Sequence, residues 1–142
     1  MPFAWSPAAA EAFRAGDTEA LLWTPAPALI VTCLKGHASV ELLAFYTARA
    51  EREMARGRLT VFHDWAGLTT YDPAVRDELR RWGKLHNDRF ERVEYLVRSK
   101  VVGMLISVAA LTLGRELHAT ADRPTFLADL ERALAARQPR GA

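Results

Sequence analysis

The chain alternates between two hydrophobic periods. Runs of β-branched and aromatic residues read as strands, and apolar residues recurring every three to four positions read as helices. Residues 19–24 (EALLWT) read as a strand, the Pro25-Ala26-Pro27 break forces a tight connection, and residues 28–34 (ALIVTCL) read as a second strand, giving an antiparallel hairpin at a sheet edge. Ser39 then caps a helix running to about Arg56, with Val40, Leu43, Tyr46, Ala50 and Met54 on one face, Leu42 and Phe45 widening that stripe, and Gly57 as its stop. Residues 59–62 are a short buried strand. Asp72-Pro73 opens a second helix with Val75, Leu79, Trp82, Leu85 and Phe90 inward. Residues 93–97 are the next strand. Ser99 caps a third helix, from Lys100 to about Leu113, that is apolar nearly all round. Residues 116–121 are a weak last strand, and Asp122 and Pro124 start a final helix with Phe126, Leu127, Leu130 and Leu134 inward.

The order is therefore ββαβαβαβα. It predicts an α/β fold: a mostly parallel sheet of about five strands, with an N-terminal antiparallel edge hairpin, right-handed crossovers and about four helices. Residues 1–18 are expected as an arm or short helix started by Ser6-Pro7 and closed by Gly16. Residues 19–137 are expected as one domain and 138–142 as a frayed tail. A length of 142 residues fits a single core, and half-hydrophobic, quarter-charged composition excludes a disordered chain. The net charge of +2 permits acidic partners without demanding nucleic acid. On the second helix, Asp77, Glu78, Asp88 and Glu91 interleave with Arg76, Arg80, Arg81, Lys84 and Arg89, which reads as a solvated face. The start of the chain has no secretory leader pattern. The longest apolar run, residues 101–114, is shorter than the ~20 residues a bilayer needs, so a cytoplasmic location is expected.

The stretch VFHDWAGLTTYDP, residues 61–73, carries the candidate chemistry. An apolar strand ends in His63 and Asp64, a turn follows, and a helix begins. This is how α/β sheets present polar groups at the carboxyl ends of their strands. Three segments would share that edge: Lys35-Gly36-His37, His63-Asp64-Trp65 and Arg98-Ser99-Lys100. His63 and Asp64 are neighbours on a strand and point to opposite faces, so they do not make an acid–base pair. His37 and His118 stand alone, and His86 is expected on the surface. The lone Cys33 in LIVTCL reads as an inert buried thiol. Metal-ligand spacings, phosphate-binding loops and nucleophile elbows do not occur, and no metal or cofactor is implied.

The hairpin ending in LKGHAS, the strand ending in HDWAGL, the helix DPAVRDELRRW, the strand LVRSK, a small-residue-rich helix and a last helix beginning DRPTF together resemble the STAS-like domain of bacterial anti-sigma-factor antagonists and their lipid-binding-fold relatives. In the signalling members a strand-end aspartate is followed by a phosphorylatable hydroxyl. Here Asp64 would match that aspartate. Asp72 occupies the switch position, with Thr70 the nearest hydroxyl, so the resemblance implies an edge that is not phospho-switched and Asp72 reads as a helix cap.

The resemblance implies a non-enzymatic regulatory module that docks a protein partner or a second copy of itself. The expected contacts are Asp64, Trp65, Thr70, Tyr71, Asp72, Arg98, Ser99 and Lys100, with Trp65 and Tyr71 as aromatic anchors. The alternative is a binder of a lipid or small apolar anion. There the third helix, with Gly103, Ser107, Ala109 and Ala110, would form a pocket wall (or a dimer seam), and Arg98 and Lys100 would hold the headgroup. A small enzyme is the third reading.

Overall fold

Among the described residues six strands form one sheet in sequence order: β1 (Glu11–Ala15), β2 (Thr18–Ala26), β3 (Leu29–Ala38), β4 (Leu59–Tyr71), β5 (Phe90–Leu96) and β6 (His118–Thr120). The strands from β3 to β6 run parallel, and β1–β2–β3 are antiparallel. The helices are α1 (Val40–Met54), α2 (Pro73–Leu85) and α3 (Arg123–Arg137). The computed structural model describes residues 10–100, 102–103, 106 and 118–137. Lys100, Val102, Gly103 and Ile106 are helical, and the rest of the expected third helix lies outside the described residues. No helix among those described is long and apolar enough to cross a membrane.

Period-two alternation on the central strands makes two cores. Ile30, Val61, Val93 and Tyr95 face α1, α2, Val102 and Ile106. Leu29, Val31, Phe62 and Leu96 face Phe126 and Leu130 of α3. Ser39 caps α1 as expected, its hydroxyl accepting the Leu42 N–H at 3.2 Å. The far end of α1 is tied to the sheet by a buried carboxylate. Glu53 is 6% exposed and accepts the N–H of Ala28, which sits at φ 59 in the β2–β3 connection. That bond offsets the cost of a left-handed alanine.

The N-terminal arm is corrected. Over Glu11–Ala15 it is a strand paired to β2, with Gly16 at φ 60 leading a two-residue turn as a hairpin of this length requires. Strand pairing and the packing of Phe13 against the core override the helix propensity of Glu, Ala and Arg. Strand β2 also continues through Pro25, with a bulge between Trp23 and Ala26. Phe90 belongs to β5 rather than α2, where it is buried.

The largest difference is in β4. It does not turn at Asp64 but runs thirteen residues to Tyr71. Its ladder with β3 slips twice, between Cys33 and Lys35 and between Gly36 and His37. Gly36 permits the second slip: it sits at φ 84 against the β1–β2 turn, where a Cβ would overlap the Asp17 carbonyl oxygen. Gly36→Ala is therefore expected to destabilise the fold by at least ~2 kcal/mol in urea titration. Gly16→Ala has open space at its Cβ and meets only the φ penalty, so it costs less.

Candidate functional site

The expected site residues separate into three environments. The first is the sheet interior. His63 is 3% exposed and its Nδ1 lies 2.7 Å from Thr32 Oγ1. Its ring stacks on Tyr95 at 5.0 Å and meets Tyr46 edge-on at 5.0 Å and Trp65 at 4.9 Å. Burial with no opposing charge pushes its pKa down to about 3, so the ring is neutral at physiological pH. The same burial raises the phenols of Tyr46 and Tyr95. Trp65, expected as a surface anchor, is 7% exposed and completes this aromatic group, so it offers no interface area. A small cavity of ≈ 40 Å³ adjoins the group, walled mainly by Leu34, Leu42, Leu68, Val75 and Leu79 from β3, β4, α1 and α2.

The second environment is the opposite face. Asp64 sits in mid-strand, level with Cys33 on β3 and Leu96 on β5. Its carboxylate accepts Ala66 N–H at 3.2 Å and pairs with Arg123 at 2.9 Å, clipping α3 to the sheet. Its partners are structural, and it bonds neither His63 nor a hydroxyl, in line with the strand geometry. Cys33 is half-buried rather than fully buried as expected, and burial together with Asp64 raises its thiol pKa. Beyond β5, Arg98 and Lys100 are exposed around Ser99. Ser99 opens a helical turn through Gly103 N–H to its carbonyl at 3.0 Å and the longer Val102 N–H contact to its hydroxyl at 3.4 Å.

The third environment is the far end of β3 and β4, roughly 20 Å along the strand from Asp64. Here Thr70 is exposed and Tyr71 and Asp72 are partly exposed, and the structure adds a residue that the sequence reading set aside. His37 Nδ1 lies 2.7 Å from Thr70 Oγ1 and its Nε2 lies 2.7 Å from Asp72 Oδ1. Asp72 occupies the cap position of α2, but its side chain makes no cap bond and is committed to His37 instead. The backbone on both sides is fixed. Thr18 donates to the His37 carbonyl at 2.6 Å, Thr69 to the Gly36 carbonyl at 3.1 Å and Asp72 N–H to the Ala38 carbonyl at 2.9 Å. The available signal for His37 was the absence of any helix cap before Ser39, which leaves residues 35–38 free to extend the strand.

The remaining expectations place simply. His86 is half-buried, 3.2 Å from Glu51 and packed on Trp82. On α2, Arg81 pairs with Glu78 at 2.8 Å and Arg76 with Asp77 at 3.5 Å, so part of the basic face is internally neutralised. Gly103 is the described member of the small-residue set; Ser107, Ala109 and Ala110 lie outside the described residues. Among the described residues no group of three or more His, Cys, Asp or Glu could hold a metal.

The architecture is a SpoIIAA-like fold. An uncharacterised protein of the DUF3478 family with a SpoIIAA-like fold, from Shewanella loihica PV-4, superposes with a TM-score of 0.58 at 16% identity over 86% of this chain and 91% of that one. The anti-sigma factor antagonist SpoIIAA in its unphosphorylated form superposes with a TM-score of 0.57 at 15% identity over 78% of this chain and 96% of that one. No family model matches the sequence, and no curated protein matches it. At these identities the likeness is one of fold.

His63 makes a testable pH signature. Its folded pKa lies below the ordinary 6.5, so the unfolded chain binds its proton first as pH falls. Its contribution is fully present above 6.5 and is lost progressively down to about 3. Urea titrations across that window are expected to show stability falling by about 1.4 kcal/mol per pH unit from this group. In His63→Phe that component of the slope should vanish.

Proposed function

We propose that this protein is a regulatory interaction module of the SpoIIAA type. It works by docking a protein partner, in a bacterial cytoplasm. The observation that carries this reading is the rim at the carboxyl end of β3 and β4. Thr69, Thr70, Tyr71 and Asp72 are held there by ladder bonds and by His37 in a fixed, largely polar and accessible array. A preformed rim loses little conformational entropy on binding, which favours recognition of a folded partner. Tyr71 supplies the aromatic anchor, and its body already rests on the core. Arg98 and Lys100 form a separate basic patch beyond β5 that suits an acidic segment of the same partner. Support also comes from the likeness to SpoIIAA, itself an anti-sigma factor antagonist. In this reading Trp65 belongs to the core and Asp64 ties α3 to the sheet, and neither contacts the partner.

A second reading, binding of a small apolar molecule, is favoured by the cavity between α1, α2 and β3–β4. That cavity does not involve Arg98 or Lys100, so a headgroup would have to be held elsewhere.

The test is site-specific photocrosslinking in cells. A crosslinking residue in place of Tyr71 is expected to capture one discrete protein, and one in place of the exposed Arg58, just before the opposite end of β4, to capture none. Thr70→Arg and Lys100→Glu, both at exposed positions, should each weaken the captured complex at least tenfold while the variants remain folded by circular dichroism. A product of twice the protein's own mass would identify a second copy as the partner. Equal capture at both positions would sink the docking surface proposed here.

A further inference from the structure

The rim holds a hydroxyl, an imidazole and a carboxylate in series, with both linking distances 2.7 Å. A carboxylate only accepts hydrogen bonds, so the neutral His37 ring carries its proton on Nε2 and donates it to Asp72. That places the Nδ1 lone pair against Thr70, whose hydroxyl then donates. The hydroxyl proton points at a base, and the base is held in one tautomer by a carboxylate, which is the arrangement that turns a weak hydroxyl into a nucleophile. Asp72 stands at a helix cap position without capping, so its orientation is specific to His37. Thr70 is exposed, and the His37 side chain is 31% exposed, so a reactant can reach both. The bonds from the Thr18 and Thr69 hydroxyls and the Asp72 N–H to backbone carbonyls hold the chain around His37 and limit the reorganisation a reaction would need.

We infer that Thr70, His37 and Asp72 form an acyl-accepting triad for small activated esters. Thr70 is the nucleophile, His37 the general base and Asp72 the positioning residue. Thr70 Oγ1 bonds to the ester carbonyl carbon as its proton passes to His37 Nδ1. The tetrahedral adduct collapses by breaking the bond to the alkoxy or aryloxy group, which leaves with the proton held on His37. Water then adds to the acyl-threonine while His37 takes one of its protons. The second adduct expels Thr70, which recovers a proton from His37, and a carboxylic acid is released. The step is redox-neutral and its only co-reactant is water. The inference is independent of the docking reading, although it uses the same rim. Thr70 and His37 do not line the apolar cavity, so the site is open and suits a short acyl group on a good leaving group rather than a long chain.

The test is incubation of the full chain with p-nitrophenyl acetate, followed by intact mass measurement and peptide mapping. One acetyl group is expected on Thr70. Thr70→Val should lose it and Thr70→Ser should retain it. His37→Gln should slow acetylation ~100-fold, as expected when a general base is removed. Asp72→Asn should slow it ~10-fold at unchanged half-saturation and unchanged melting temperature, a pattern that lost folding would not give. Acetylation confined to lysines, or equal rates in the wild type and His37→Gln, would overturn the triad. If Thr70→Val fails to fold, the comparison of Thr70→Ser with the wild type still decides. A serine variant with no adduct at position 70 counts against the proposal. Photocrosslinking at Tyr71 reads the docking surface separately, so the two readings fail independently.

Discussion

The structure depends on fitting a longer strand to a shorter one. Strand β3 uses ten residues from Leu29 to Ala38, and β4 spans the same ladder from Thr60 to Tyr71. The two extra residues of β4 are absorbed in two slips. Strict alternation from His63 would send positions 63, 65, 67, 69 and 71 to the face that carries α1 and α2. Instead His63, Trp65, Leu68 and Tyr71 contribute to the packing there. Each slip inserts one residue between inward side chains. This keeps the core apolar past Trp65 and frees Thr70 to stand opposite His37. Without the slips a threonine would lie inward at position 69 and Leu68 would face out. The rim is thus a product of the ladder mismatch, and bulges of this kind commonly re-aim side chains near functional edges.

That mismatch also explains what could and could not be read from residue order. Strands and helices with one clean period were legible: α1 from Ser39, the β3 run, the start of α2 at Asp72-Pro73, and α3 with Phe126 and Leu130 inward. The second half of β4 was not, because inward spacings of two, three and three match neither a strand nor a helix template, and Gly67 in their midst imitates a turn. Strand β1 was hidden for a different reason. EAFRA places one aromatic residue among helix-favouring ones, and only pairing with β2 makes it a strand. At the site, Thr70, Tyr71 and Asp72 were legible as a group. Their link to His37 spans thirty-three residues or more and depends on register, which local pattern does not encode.

Two histidines on the same pair of strands show how burial divides their roles. His63 is enclosed by aromatic rings, bonded to a neutral hydroxyl and held neutral by desolvation. Its cost on protonation makes it a determinant of acid stability. His37 is partly exposed and sits between a hydroxyl and a carboxylate. The residue type is identical; the register position decides whether it works as core or as chemistry.

The separation of the two ends of β4 bears on how such a module stays rigid while presenting a reactive rim. At the Asp64 level the strand has neighbours on both sides, β3 and β5, and an ion pair to α3. Past Asp64 the β5 ladder ends, and β4 retains β3 alone among the described strands. A two-stranded extension of that length would be marginal by itself. It is stabilised by Leu68 beneath it, by the β1–β2 turn pressed against Gly36, and by the Thr18, Thr69 and His37 bonds across its end. Those bonds lie at the periphery of the sheet, apart from the packing around Phe62 and Phe126. The core and the working end of the strand are therefore energetically separable, although they are built from one continuous element.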